Sequence, residues 1–131
     1  TLAGWVQKQR DFGELIFLDL RDRSGIVQVV VDRERSASPE LIAAAKELRS
    51  EFVVRIDGNV VERADAQKNP KLGTGDVEVV ATAIEILNRA ETPPFPIEDH
   101  TDAAEELRLQ YRYLDLRRPT LTNNLILRHK I

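Results

Sequence analysis

Two short runs of alternating character, joined by a charged turn, constrain this chain more than anything else in it. In residues 14–21, Ile16, Leu18 and Leu20 share one face, while Leu15, Phe17, Asp19 and Arg21 share the other. In residues 26–32, Val27, Val29 and Val31 make a continuous apolar face, with Ile26, Gln28 and Val30 behind it. A period of two belongs to a strand, where successive side chains point to opposite sides. Arg21-Asp22-Arg23-Ser24-Gly25 is a charged turn closed by glycine, so the two runs predict an antiparallel hairpin.

The flanking sequence extends this to a barrel. Residues 2–10 read as a strand before the hairpin. After it, Ser38-Pro39-Glu40 opens a helix: serine caps, proline suits the first helical position, and glutamate complements the helix dipole. Leu41, Ala44, Ala45 and Leu48 follow at helical spacing. Residues 52–63 predict a fourth strand, bulged at Asp57-Gly58, and residues 76–87 a fifth, with Val77, Val79 and Ala81 alternating against Glu78, Val80 and Thr82. Three strands, a helix and two strands is the order of the five-stranded Greek-key barrel known as the OB-fold, in which a helix bridges strands 3 and 4. A doubly wound α/β sheet would need helices between most strands. The expected class is all-β with accessory helices.

Beyond the barrel the composition shifts. Residues 85–106 carry a net charge of −6, and residues 108–131 carry +5. Between them, Thr92-Pro93-Pro94-Phe95-Pro96 removes three backbone donors, so neither a helix nor a central strand can run through it. The expected organisation is a barrel in residues 1–88, a linker or hinge in 89–118, and the start of a further helical domain in 119–131. There Pro119 opens a helix, and Leu121, Leu125 and Ile126 outline an apolar stripe. A first strand without a lead-in and a last helix stopped within its pattern predict a fragment of a longer protein.

With 131 residues, the chain is long enough for a core without staples, and the absence of cysteine excludes a disulfide framework, thiol catalysis and a cysteine-ligated zinc. No apolar run approaches a membrane span, and Thr1-Leu2-Ala3-Gly4-Trp5 does not resemble a secretory signal; a soluble protein of the reducing cytoplasm is expected. His100 and His129 are isolated and lack metal-ligand spacing. Gly73-Thr74-Gly75 lacks the lysine and the strand-to-helix setting of a phosphate loop, and reads as a turn. Catalysis is therefore not expected of these residues, and no metal.

Binding is better supported. OB-folds hold nucleic acid across strands 2 and 3 with stacking aromatics and polar groups that read base edges. Phe17 is the aromatic on the polar side of its strand, and Gln28 is the polar residue on the reverse of the valine face, offering a donor and an acceptor. Arg10 suits a phosphate or a base edge, and Glu78 an amino or imino group. Two readings of Phe17 stay open, core residue or stacking platform. Trp5 reads as packing. The net charge of −3 argues against a general nucleic-acid glove, which draws its affinity from lysine and arginine. A sequence-tolerant single-strand-binding module, needing a basic groove with several aromatics, is the rival reading; a protein-interaction barrel is a third.

Gly4-Trp5-Val6, Arg10-Asp11, the run from Leu15 to Asp22, Gly25-Ile26-Val27-Gln28-Val29-Val30, Thr74-Gly75-Asp76-Val77-Glu78-Val79 and above all Tyr111-Arg112-Tyr113-Leu114-Asp115-Leu116-Arg117-Arg118-Pro119 together resemble the bacterial aspartyl-tRNA synthetases. The resemblance covers essentially the whole chain. It implies an OB-fold that binds the anticodon of the tRNA for aspartate, a hinge, and a class II catalytic domain that uses ATP and magnesium to attach aspartate to tRNA. It places Phe17 as the stacker on the central anticodon base and Gln28 as the reader of that uridine's edge. It makes Arg10, Glu78 and Arg63 further anticodon-binding positions. Gln7-Lys8-Gln9 stands where many relatives carry arginines, and Phe12 where they carry leucine or histidine, a position associated with acceptance of the tRNA for asparagine. A cytoplasmic homodimer, paired through the catalytic domain, is implied for the parent enzyme. The class II motifs would lie after residue 131, so this chain is not expected to aminoacylate and needs no cofactor of its own.

Overall fold

The computed structural model describes residues 1–34 and 38–131, in two compact units, residues 1–92 and 93–131. The first unit holds β1 (Leu2–Asp11), β2 (Leu15–Arg21), β3 (Ile26–Asp32), α1 (Pro39–Glu47), β4 (Val53–Glu62) and β5 (Val77–Asn88). The strands close into a barrel in the order β1-β2-β3-β5-β4, with β4 returning to β1. Every pairing is antiparallel except β3 with β5. Closure gives each strand two neighbours and leaves no free edge. The expected OB-fold is the observed one.

The hairpin forms in the register its alternation demands, from Leu15 opposite Asp32 to Arg21 opposite Ile26. Its turn is tied by Asp22, whose carboxylate accepts from the Ser24 amide at 2.6 Å, the Ser24 hydroxyl at 2.5 Å and the Gly25 amide at 3.1 Å. These bonds, the serine hydroxyl's foremost, hold the Asp22 carboxyl below the usual carboxylate range. The inward faces meet as predicted: Ile16, Leu18, Val29 and Val31 are fully buried, with Val6, Val54, Ile56, Val79 and Ala81 from the other strands. Burying side chains of this size stabilises the fold by about 1.5–3 kcal/mol each.

α1 begins where its cap predicts, with the Ser38 hydroxyl accepting from the Leu41 amide at 3.2 Å. Leu41 and Ala45 face the core. Leu48 was expected on the helical stripe; it instead follows the last turn in an extended conformation, yet is buried in the same core. The bulge at Asp57-Gly58 is present as a shift in the β4–β5 register. A Cβ on Gly58 would strike the Val80 carbonyl, so glycine permits the close approach there. Just before β4, Glu51 adopts a left-handed conformation at φ 67°. Arg21 grips its carboxylate with bonds of 2.7 and 2.9 Å, and its amide donates to Val6. These contacts offset a backbone cost of about 1–3 kcal/mol.

The second unit carries α2 (Glu105–Gln110), α3 (Arg112–Asp115) and α4 (Pro119–Lys130), the last starting at the proline that predicted it. Asp115 is fully buried and bonded to Arg118 at 2.8 Å and Arg112 at 2.9 Å, with Arg108 at 3.9 Å. Arg118 also donates to the Asp99 carbonyl, and the Asp99 carboxylate accepts from the Thr120 amide at 3.0 Å, closing the start of α4. Among the described residues, no helix is long and apolar enough to cross a membrane.

Candidate nucleic-acid interface

The outer face of the barrel is a grid whose rows cross four strands. One row runs Arg10, Phe17, Val30 and Val80, each opposite the next. The adjacent row runs Lys8, Asp19 and Gln28, with Glu78 beside Gln28 one step before the Val29–Val79 pair. Because side chains alternate, these two rows project on the same side of the sheet. Gln28 therefore lies diagonal to Phe17 rather than opposite it; Asp19 takes the opposite position.

A groove of about 740 Å³ follows the grid, lined among others by Phe17, Gln28, Val30, Arg63, Glu78 and Val80. Four of the five residues singled out in the sequence thus converge on one groove. Arg10 is the exception: it flanks the groove opposite Phe17, its guanidinium bonded to Asp19 at 2.7 Å.

Each group has a distinct setting. Phe17 is half-buried, with Phe12 against it edge to face at 5.8 Å and 75°, and the Phe12 ring is 69% exposed. An exposed ring beside a half-buried one makes an aromatic ledge on which a flat base can lie. Val30, only 5% exposed although it points outward, is an apolar floor beneath the groove. Arg63 is buried to 5% and is no surface cation; its Nε donates to the Val77 carbonyl at 3.0 Å and stands 3.7 Å from the Glu78 carboxylate. Its Nη2 is buried without a hydrogen-bond partner among the described residues. An orphaned buried donor is costly, by about 1–3 kcal/mol, unless something supplies an acceptor.

The groove's charge is not that of a phosphate cradle. Asp32, Glu62 and Glu78 line it against Arg63. At its rim Lys68 bridges Asp65 at 2.8 Å and Glu62 at 2.9 Å, and these partners, Asp65 foremost, hold its ammonium above the usual lysine range. Carboxylates repel phosphate but accept from the amino and imino groups on base edges. The arrangement suits bases turned inward and a backbone kept outside.

Sequence reasoning did not single out Asp19 or the floor formed by Val30. The alternation already placed Asp19 in phase with Phe17; its role needed the cross-strand register, which a single strand cannot display. Phe12 came forward as a departure from the family pattern, but its contact with Phe17 depends on the β1–β2 turn.

A closed barrel presenting an aromatic ring and an amide on its second and third strands, with base-accepting carboxylates on the third, fourth and fifth, is built as a nucleic-acid-binding OB-fold. The chain belongs to that family: the family model described as OB-fold nucleic acid binding domain matches residues 1–87. As the sequence motifs anticipate, the chain is similar to bacterial aspartate–tRNA ligases. It is 59% identical over all 131 residues to the aspartate–tRNA ligase of Geobacillus kaustophilus, and 53% identical over 131 residues to the aspartate–tRNA(Asp/Asn) ligase of Thermoanaerobacter pseudethanolicus. It spans 22% of the length of each of these curated relatives. Among solved structures, the aspartyl-tRNA synthetase of Entamoeba histolytica superposes with a TM-score of 0.79 at 26% identity, over 97% of this chain and 30% of that one.

Proposed function

We propose that this chain is the anticodon-binding module of an aspartate–tRNA ligase. The observation that carries the reading is the convergence of Phe17, Gln28, Arg63 and Glu78 on one groove with an apolar floor and acidic walls. A central anticodon base stacks on Phe17, and the Gln28 amide, diagonal to the ring, meets that base's edge. Glu78, held beside Arg63, accepts from the amino or imino group of a neighbouring base, and Arg10 reaches the loop from the flank. Unstacked loop bases read in this way are the usual route to sequence-specific RNA recognition. The acid-lined groove disfavours the rival reading, a sequence-tolerant single-strand binder, which would need a basic track.

In the parent enzyme this module would dock the tRNA for aspartate in the cytoplasm, while a separate, dimerising catalytic domain activates aspartate with ATP and magnesium. Among the described residues no group of three or more histidine, cysteine, aspartate or glutamate side chains is arranged to hold a metal ion. The test is titration of the chain with an RNA hairpin bearing the aspartate anticodon, with loop-substituted hairpins and with polyuridine. Selective binding of the matched loop supports the reading. Equal binding of polyuridine would transfer the function to the sequence-tolerant module, and no RNA affinity at low salt would favour a protein-interaction barrel.

A further inference from the structure

We propose that Asp19 is a positioning residue of this interface: it aims the Arg10 guanidinium from the row of Phe17 toward the row of Gln28 and cancels its charge, making Arg10 an oriented donor to a base instead of a cation for phosphate. The inference rests on the anticodon reading of the groove.

Asp19 stands at the centre of the grid. It is opposite Lys8 on one side and Gln28 on the other. Its carboxylate nevertheless bonds neither as a simple cross-strand pair with Lys8 nor with a turn amide; it accepts from Arg10 Nη2 at 2.7 Å, on the diagonal. Arg10 is itself opposite Phe17. The diagonal therefore draws the guanidinium from the phenylalanine row toward the row of Gln28. The Arg10 side chain is 38% exposed and Asp19 21%, so solvent and ligand reach both.

Two further observations give the pair its meaning. Arg10 Nε is buried with no hydrogen-bond partner, so among the described residues the Asp19 carboxylate is the one hydrogen-bonding group that directs the guanidinium. Arginine's donors form a rigid planar fork, so directing one of them sets where the others can meet a base edge. The pair is also electrically neutral, beside a groove that is already acidic. Arg10 thus contributes direction more than attraction. A partly exposed ion pair of this kind adds little to folding, which leaves recognition as the consequence that distinguishes it from a merely structural contact.

The experiment measures binding of the 131-residue chain to the matched hairpin and to loop-substituted hairpins across a salt series, for D19N, R10K, R10A and the D19N/R10A double variant, with F17A and Q28A as references. D19N frees Arg10 and removes one negative charge. Discrimination between matched and substituted loops is expected to fall about tenfold, while the slope of log K against log salt steepens by about 0.7–0.9, the increment for one added phosphate contact. In the R10A background, D19N changes neither quantity. R10K, which keeps the charge and loses the fork, reproduces the loss of discrimination. Should D19N unfold the barrel, R10K carries the test alone: unchanged discrimination in R10K overturns the proposal. It is likewise overturned if D19N leaves discrimination and slope at wild-type values, or if the effects of D19N and R10A simply add. F17A and Q28A separate the two levels of inference. If they leave RNA binding intact, the anticodon reading fails; if they weaken it while D19N is silent, only the assignment of Asp19 fails.

Discussion

Two aspartates in this molecule hold arginines, and they do opposite work. Asp115, in the second unit, is fully buried and binds Arg118 and Arg112 at 2.8 and 2.9 Å, with Arg108 at 3.9 Å. Asp19, on the barrel face, binds Arg10 at 2.7 Å with both partners partly open to solvent. Their distances are nearly the same; their surroundings are not. In the first case water is excluded from the carboxylate, which is the counter-charge that lets the Arg118 guanidinium stay in the interior. In the second, water screens the pair, its contribution to folding is small, and its geometry is available to a ligand. Burial, more than bond length, separates a contact that holds the fold from one that serves a site.

The largest effect should follow from breaking the buried cluster. Asp115→Ala leaves Arg118, itself buried, facing a void, and should destabilise the second unit by about 3–5 kcal/mol. Limited proteolysis reads this as rapid cleavage within residues 93–131, while the circular dichroism of the strands persists. Next comes the groove: Phe17→Ala should weaken hairpin binding by about 1–3 kcal/mol, the range for one lost stacking platform, with the thermal melt of the barrel little changed. Unchanged affinity in the folded variant would remove Phe17 from the site. Gln28→Ala should cost less for the matched loop and mainly relax discrimination at one base, by about 1–3 kcal/mol. A uniform loss across all loop variants would contradict an edge-reading role.

The hairpin core was legible in the sequence because it depends on one variable, the period of two. Ile16, Leu18, Val29 and Val31 lie inside for that reason alone. The helix start was equally legible, since serine followed by proline carries its own local geometry. The convergence of Phe17 with Gln28 was half-legible: both were placed on the outer face, but their diagonal offset is set by the turn at Asp22 and the strand register. Arg63 shows where sequence fails most. It closes the predicted fourth strand and comes forward only through the family resemblance, with nothing local to mark it as buried, whereas the parallel β3–β5 contact and the return of β4 bury it against Val77 and Glu78. Such burial follows from contacts between residues far apart in the chain, which no local pattern encodes.

Smaller effects sharpen the same contrast. Asp19→Ala should change the free energy of unfolding by less than about 1 kcal/mol in a denaturant titration; a cost near that of Asp115→Ala would mean that solvent exposure does not separate the two pairs. Acid should loosen the start of α4, which Asp99 closes. The Thr120 amide bonded to the Asp99 carboxylate holds that carboxyl below its usual value. Its stabilising contribution is therefore present above the unfolded carboxylate pKa of about 3.9 and is lost as pH falls through the lower folded value. Asp99→Asn should flatten that part of the pH dependence of helix content, measured by circular dichroism.

The central claim is that the groove reads bases rather than gathering phosphates. It is tested most directly by the ratio of dissociation constants for two hairpins at physiological salt, one with the aspartate anticodon and one with its central uridine replaced by cytidine. A groove that seats that base on Phe17 and meets its edge with Gln28 predicts at least about tenfold tighter binding of the uridine loop, equivalent to about 1.4 kcal/mol. Equal affinity for the two loops, each falling steeply and alike with salt, would contradict it.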